Sequence, residues 1–435
     1  VRPNRGVLLT IGAAVLVAGL SAVATQGLAY AGAAVVAALY LAFVVTFGAR
    51  TTGIACMMAA FAFAPMYRGF ENLTGGIPPT DVFVIAGIIH LLPTVIQHRL
   101  QVPTTYLVGL LLVAITSLVA VMVTGDLFTN AFYAIQWLFF IGVLPLFFAW
   151  WRPRVSTVCL LLWAYLVGHT ISTAKAVVEG AAFADRYDGF THHPNAFGLA
   201  GLATIAAVLF LLRQYENVAP RVVLLGFAAL GVVSISMSGS RAAIVVLGAL
   251  ILLIPLVERS ALMGVGLAAV GACGVLSIPF LVDVSGEESA IGRLRGGGTA
   301  TGSDRIREDA LADGLERFWQ SPILGTGFRE IELIHNVFLE AAVAIGIFGL
   351  LGYLVVLFTL ARPLFSLHPM RRLSYLIWAF IGVAPTFPGL WDRTVWVPAA
   401  LAGLLLVRHE MHDAPADPEV EPAHTPQEPV SPGRA

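Results

Sequence analysis

The chain has 435 residues, of which 58% are hydrophobic and 12% charged, with a mean hydropathy of +0.85 and a net charge of −1. A soluble domain carries about 25% charged residues, so this composition excludes an ordinary soluble protein. The apolar residues come in continuous runs of about 20, without the alternation of a membrane β-barrel. An all-α integral membrane protein with about 12–14 transmembrane helices is therefore expected. The charge names no partner, and none of the nucleic-acid kind is expected.

Taken in chain order, the apolar runs cover 6–25, 28–48, 52–67, 80–97, 103–123, 129–149, 155–177, 195–212, 221–238, 241–257, 261–282, 335–360, 372–390 and 394–408. The first has no small-residue cleavage site followed by a soluble domain, and reads as a retained helix. Cys56, Cys159 and Cys273 fall inside apolar runs, so no disulfide framework is expected. Alternate connections carry Arg2 and Arg5, Arg50, Arg99, Arg152 and Arg154, Arg213 and Arg221, Arg259, Arg362 with Arg371 and Arg372, then Arg408. The positive-inside bias places these in the cytoplasm. The transmembrane domain is then 1–408, and it includes one large extracytoplasmic loop, 283–334. Residues 409–435, rich in Pro, Glu and Asp, read as a disordered cytoplasmic tail.

Within the loop, 286–302 reads as flexible. "SDRIREDALADGLERFWQ" (303–320) has apolar residues at Ile306, Ala310, Leu311, Leu315, Phe318 and Trp319. This is the spacing of an amphipathic helix, with Ser303 as a plausible N-cap. Such a helix should lie on the bilayer surface or on the bundle.

Four polar features fall on the outer side: "THHPNAFGLA" (191–200), "SMSGSRAA" (236–243), Arg305 with Arg307, and His335 with Asn336. Each has a plain structural alternative. Arg241 suits an interfacial arginine, Arg305 an exposed intrahelical pair with Glu308 or Asp309, and Asn336 a helix cap. In "HHPN", Pro194 disfavours helix at His193, and Asn195 suits a cap. Together they suit a lipid-linked diphosphate sugar. Arginine matches phosphate oxygens in pairs and stays charged, and a neutral histidine accepts a proton near pH 7. The outer segments show neither zinc-ligand spacing nor an Asp-x-Asp pair, so no metal or cofactor is expected.

At these residues the chain resembles the O-antigen ligase and polymerase superfamily of bacterial envelope glycosyltransferases. The resemblance rests on "SGSRAA" (238–243), "GSDRIREDALADGLERFWQSPILGTGF" (302–328) and "HNVFLEAAVAIGIFG" (335–349), with support from "HPNAFGLA" (193–200). It implies a metal-independent enzyme of the cytoplasmic membrane whose site faces the periplasm or cell exterior. Such an enzyme moves a glycan from undecaprenyl diphosphate to a hydroxyl of a glycan, lipid or protein, among membrane lipids. Carried over, Arg241 and Arg305 hold the diphosphate and His335 acts as base or orients the acceptor, with Asn336, Arg307, His193 and Asn195 binding substrate. Asp309 stands where an aromatic is expected, and Ala344 where an acidic residue is common, with Glu340 one turn earlier. The rival readings are a transporter or flippase of lipid-linked oligosaccharide, and a non-catalytic scaffold. The first calls for repeats and midplane ionisable groups, but no repeat is evident and His90, His169 and Glu340 are scattered.

Overall fold

The computed structural model describes residues 19, 28–73, 77–97, 99–182, 185–277, 286–329 and 331–407. Nearly all of the expected first span, with Arg2 and Arg5, lies outside the described residues. So do Arg408, the tail 409–435 and the start of the loop.

Among the described residues there are helices and no strands. Eight helical runs are long and apolar enough to cross a membrane, and three shorter apolar helices accompany them. In chain order the helices are α1 (Leu28–Phe63), α2 (Pro79–Val95), α3 (Thr104–Val123), α4 (Leu127–Trp151), α5 (Val155–Glu179), α6 (Pro194–Leu211), α7 (Val218–Ser238), α8 (Arg241–Glu258), α9 (Ala261–Leu276), α10 (Ala290–Leu294), α11 (Ala300–Gln320), α12 (Val337–Ala361), α13 (Ser374–Val383) and α14 (Arg393–Ala399), the last running on as a tighter helix to Leu406. The run α1 is two helices that meet at Gly48, where φ is 79° and ψ 162°, in agreement with the expected pair 28–48 and 52–67.

Helix α6 sits at the centre, apolar on every side and buried along nearly its whole length. It opens with Pro194 at its first position, where the missing N–H is harmless and the fixed φ suits a helix. His193 occupies the cap position in extended conformation and no side chain caps the end. The expected cap, Asn195, is engaged elsewhere. Small residues let neighbouring backbones approach. Helix α3 meets α12 at Gly109 and Gly352, where a Cβ on either would come within 2.8 Å of the other's carbonyl oxygen.

Helix α12 is not continuous. At Gly346 the backbone turns to φ 71° and ψ −178°, which leaves helical groups unpaired. Inside a bilayer such groups must find partners within the protein. The turn "SPILGTG" (321–327) supplies them. Thr326 N donates to the carbonyl of Val343 at 2.7 Å, Gly327 N to Ala344 at 3.1 Å, and Ile347 N to the carbonyl of Pro322 at 2.8 Å. A Cβ at Gly325 would lie 2.2 Å from the Ala344 oxygen, and one at Gly346 2.1 Å from that of Ile323. The spaced glycines of both motifs are therefore one contact. It ties the loop's return to α12 just below its mouth.

The ends of the helices sort cleanly. The starts of α6, α8 and α12 and the ends of α5 and α7 meet at one face, joined through Arg186, which bonds both Ser238 and Asn195, and through the Arg241–Asp304 pair. The connections bearing Arg99, Arg152, Arg213 and Arg372 lie at the other face, where Arg152 donates to the Arg99 carbonyl and Glu258 pairs with Arg213 and Arg372.

Candidate functional site

Within the described part of the loop, 286–302 forms a short helix, turns and the start of a second helix in place of the expected flexibility. Ser289 caps α10 through its bond from Gly292 N, and α10 carries Arg293, which is 1% exposed. Arg293 donates to the carbonyl of Gly239 and to the hydroxyl of Ser303, both at 2.7 Å, and lies 3.6 Å from a Glu288 oxygen. Ser303 therefore serves as a hydrogen-bond partner and not as the expected cap. Helix α11 starts three residues earlier, at Ala300.

The predicted apolar face of α11 is only partly covered. Ala310 and Phe318 are half-buried and Gly314 packs on Ile334 and Leu339, while Ile306, Leu311, Leu315 and Trp319 are exposed. An exposed stripe of this kind suits a bilayer surface. At about 100° per residue, Arg305 and Arg307 point roughly 200° apart, so only one can face the bundle. Arg307 does. It is half-buried and 3.9 Å from Asp304, while Arg305 is exposed on the far side of the helix.

Arg241 is the first residue of α8, whose end is capped by Ser240 accepting from Ala243 N at 3.4 Å. Its two terminal nitrogens both donate to Asp304, one at 2.9 Å, in a two-pronged pair. Arg186, 6% exposed, donates to the carbonyl of Ser238 at 2.8 Å and to Asn195 Oδ1 at 2.9 Å. Arg186, Arg241, Arg293 and Arg307 thus meet two carboxylates, Glu288 and Asp304. The charges repel: burial first, then Arg293 and Arg307, push Arg186 down to about 10. Burial, then Arg241 and Arg293, lower Arg307 also, whereas the hydrogen bond from Arg241 holds Asp304 below the usual carboxylate range. An arginine cluster in positive excess is a ready anion site.

His335 lies beside this cluster. Its backbone is left-handed, with φ at 57°. That conformation costs a non-glycine residue about 1–2 kcal/mol. Asn336 follows as the cap of α12, its Oδ1 accepting from Phe338 N and Leu339 N at 3.1 Å each. The cap fixes the helix start, and the turn at His335 swings its ring into the wall between two cavities. One, of about 230 Å³, is lined by Asp304, Arg307, His335, Asn336 and Thr386 among others. The second, of about 480 Å³, is lined by His193, His335, Arg68, Glu340, Tyr133 and Trp391 among others. Burial, then Arg307, lowers the pKa of His335. Burial, then Arg68 and Arg186, brings that of His193 down to about 4. Both rings are neutral at pH 7 and able to accept a proton.

The second cavity has features of a sugar site. The rings of Tyr133 and Trp391 stack at 4.9 Å with 18° between their planes. Arg68 donates to the Tyr67 hydroxyl at 2.7 Å and lies 3.8 Å from Asp392, and Arg393 is paired with Asp81 at 2.6 Å.

Of the expected site residues, the structure gathers Arg241, Arg307, His335, Asn336, His193 and Asn195 at one face; Arg307, His335 and Asn336 line the first cavity and His193 and His335 the second, while Arg241, Asn195 and Arg305 line neither. Sequence reading missed Arg68, Arg186, Arg293 and Arg393. Arg68 and Arg186 carried a signal, since both sit in connections on the side that the charge bias leaves poor in arginine. Among the described residues, no group of three or more His, Cys, Asp or Glu side chains is placed to hold a metal.

A comparison with family models matches residues 226–354 to a family described as O-antigen ligase. The match contains Arg241, Arg293, Arg305, Arg307, His335 and Asn336, and excludes Arg68, Arg186, His193 and Trp391. No curated protein matches the chain.

Proposed function

We propose that this chain, a membrane glycosyltransferase of the O-antigen ligase superfamily through residues 226–354, transfers a glycan from undecaprenyl diphosphate to an acceptor hydroxyl at the outer face of the cytoplasmic membrane. The observation that carries the reading is His335, a neutral ring set between a cavity that Arg307 lines at the edge of the arginine cluster and an aromatic one lined by Arg68, Arg393, Glu340 and Asp392. The donor's diphosphate takes the first cavity, against Arg307, with Arg241 joined to the cavity wall through Asp304. The acceptor sugar takes the second, against Trp391 and Tyr133.

In the step so arranged, His335 takes the proton of the acceptor hydroxyl as its oxygen bonds to the sugar's anomeric carbon. The bond from that carbon to the diphosphate oxygen breaks, and the electron pair leaves with undecaprenyl diphosphate. Arginines aimed at that oxygen stabilise the developing charge without a metal. Asn336 keeps the base in place through the helix start. Arg305, which the resemblance assigns to the diphosphate, lies one helix face away, and Arg307 is the better-placed partner.

The test is glycan transfer from a defined lipid-linked oligosaccharide by purified variants. His335→Asn and His335→Gln should remain folded yet lose 10²–10⁴ in rate, roughly the contribution of a general base. Activity of His335→Asn near that of the unmodified protein removes the base and leaves a binding cleft. A transporter would instead move the lipid-linked sugar without forming a new glycosidic bond.

A further inference from the structure

We propose that the face of the bundle opposite the candidate site carries a second binding site, formed by Arg50, Arg152 and Arg154, for the phosphate headgroup of an anionic membrane phospholipid. Helix α5 spans 25 residues, from Val155 beside Arg154 at that face to Glu179 at the candidate site. At a rise of about 1.5 Å per residue, this length separates the two sites by about 37 Å. The proposed site is a cavity of about 350 Å³ whose lining includes the three arginines, Gln97, Thr157 and Trp151, and contains no carboxylate.

Three further observations point to an anion. Among the described residues no Asp or Glu pairs with Arg50, Arg152 or Arg154, whereas the neighbouring basic cavity on the same face holds a carboxylate, Glu258, paired with Arg213 and Arg372. Arg154 occupies the cap position of α5 and no side chain caps that end. The first turn of a long helix, through Arg154 and Thr157, therefore lines the cavity with its amide end uncapped by any side chain. Arg152 adopts a left-handed conformation, φ 49°, which suits glycine. Its guanidinium is held toward the cavity by the carbonyls of Ala149, at 3.3 Å, and Arg99, at 3.2 Å.

The rim decides between a lipid and a soluble phosphate. Ile96, Leu100 and Val155, next in the chain to Gln97, Arg99 and Arg154, expose 60%, 41% and 41% of their surface. They provide an apolar wall along which acyl chains can lie while the headgroup meets the guanidinium groups. Basic pockets between helices at a membrane face are suited to anionic headgroups, each arginine contributing about fivefold in preference over a zwitterionic lipid.

The experiment titrates the purified full-length chain with phosphatidylglycerol and with phosphatidylcholine and counts retained lipid by native mass spectrometry. The unmodified protein should retain phosphatidylglycerol at least about tenfold better. The triple variant R50Q/R152Q/R154Q should lose that preference. Because removing arginines can disturb membrane orientation, Thr157→Glu serves as the second variant. It places a carboxylate among intact arginines, and acidic residues contribute little to orientation. It should cut the preference about fivefold or more. Equal retention of the two lipids by the unmodified protein, or an unchanged preference in Thr157→Glu, overturns the site. Calorimetric titration with inorganic phosphate should give no saturation at millimolar concentration, and saturation there assigns the pocket to a soluble anion and overturns the lipid.

Discussion

The two faces of the bundle both concentrate arginine, and they use it differently. At the candidate site Arg186 and Arg293 are buried and held by backbone carbonyls, and Arg241 is locked in two-pronged contact with Asp304. At the opposite face Arg50, Arg152 and Arg154 are exposed, and no carboxylate pairs with them among the described residues. A buried arginine must be fixed by several acceptors to offset its desolvation. An exposed one needs no carboxylate: Arg152 is held by two backbone carbonyls, and its charge stays unpaired among the described residues. The first kind suits a site that must present charge in one geometry to a reacting diphosphate. The second suits a fluid lipid headgroup.

Substitution of one arginine from each face breaks or sharpens this contrast most strongly. Arg293→Ala removes a buried cation that ties α10 to Gly239 and Ser303 and leaves Glu288 without its neighbour. It should cost about 3–5 kcal/mol, the loss typical of breaking a buried pair. Arg50→Ala should change stability by no more than about 0.5 kcal/mol. Thermal unfolding in the same detergent checks both. Comparable small losses in the two variants would mean that the site arginines are not structurally fixed.

The next contrast lies within one helix. Arg307→Ala should slow glycan transfer by about one to two orders of magnitude, as expected for a charge-assisted contact of about 1.5–3 kcal/mol. Arg307→Lys should recover part of it, since charge returns but the paired geometry does not. Arg305→Ala should stay within about twofold of the unmodified rate, the effect of a surface pair. A larger loss in Arg305→Ala than in Arg307→Ala would show that α11 rotates or shifts when donor binds, and would return the diphosphate to the residue that the resemblance favours.

That pair also shows what was legible in the sequence. Hydropathy located the spans, because a run of about 20 apolar residues has one stable outcome in a bilayer. The motif residues at 193, 241 and 335 were legible as polar chemistry at helix mouths. The offset of about 200° between Arg305 and Arg307 was also readable from helical geometry. Which of them faces inward depends on Gly314 meeting Ile334 and Leu339, a contact between distant segments. The break at Gly346 was hidden for the same reason. A glycine in an apolar run is ordinary until the turn at 321–327 is seen to satisfy the opened backbone. Arg293 was hidden by its setting, since "GRLRGGG" reads as flexible and nothing local shows that the Gly239 carbonyl waits for it.

The smallest expected effect is a dependence on pH, and it belongs to the site face alone. His193 has its pKa lowered to about 4 by burial and by Arg68 and Arg186, and His335 is lowered by burial and Arg307. In the unfolded chain both titrate near about 6.5. Between about 6.5 and 4 the unfolded state therefore binds more protons than the folded one, so stability falls as pH falls through that window. It is fully present above the unfolded value. His193 keeps some contact with solvent, which screens the effect. A decrease in melting temperature of about 2–4 °C, the equivalent of roughly 1 kcal/mol in a large domain, is expected across the window. His193→Gln should flatten most of the slope, and His193→Gln with His335→Gln nearly all of it. For the same reason the acidic limb of the transfer rate should lie below the ordinary histidine range. A limb at or above about 6.5, with a melting temperature indifferent to pH across the window, would mean that the arginines do not act on these rings. The charge excess that distinguishes the site face would then be neutralised in solution.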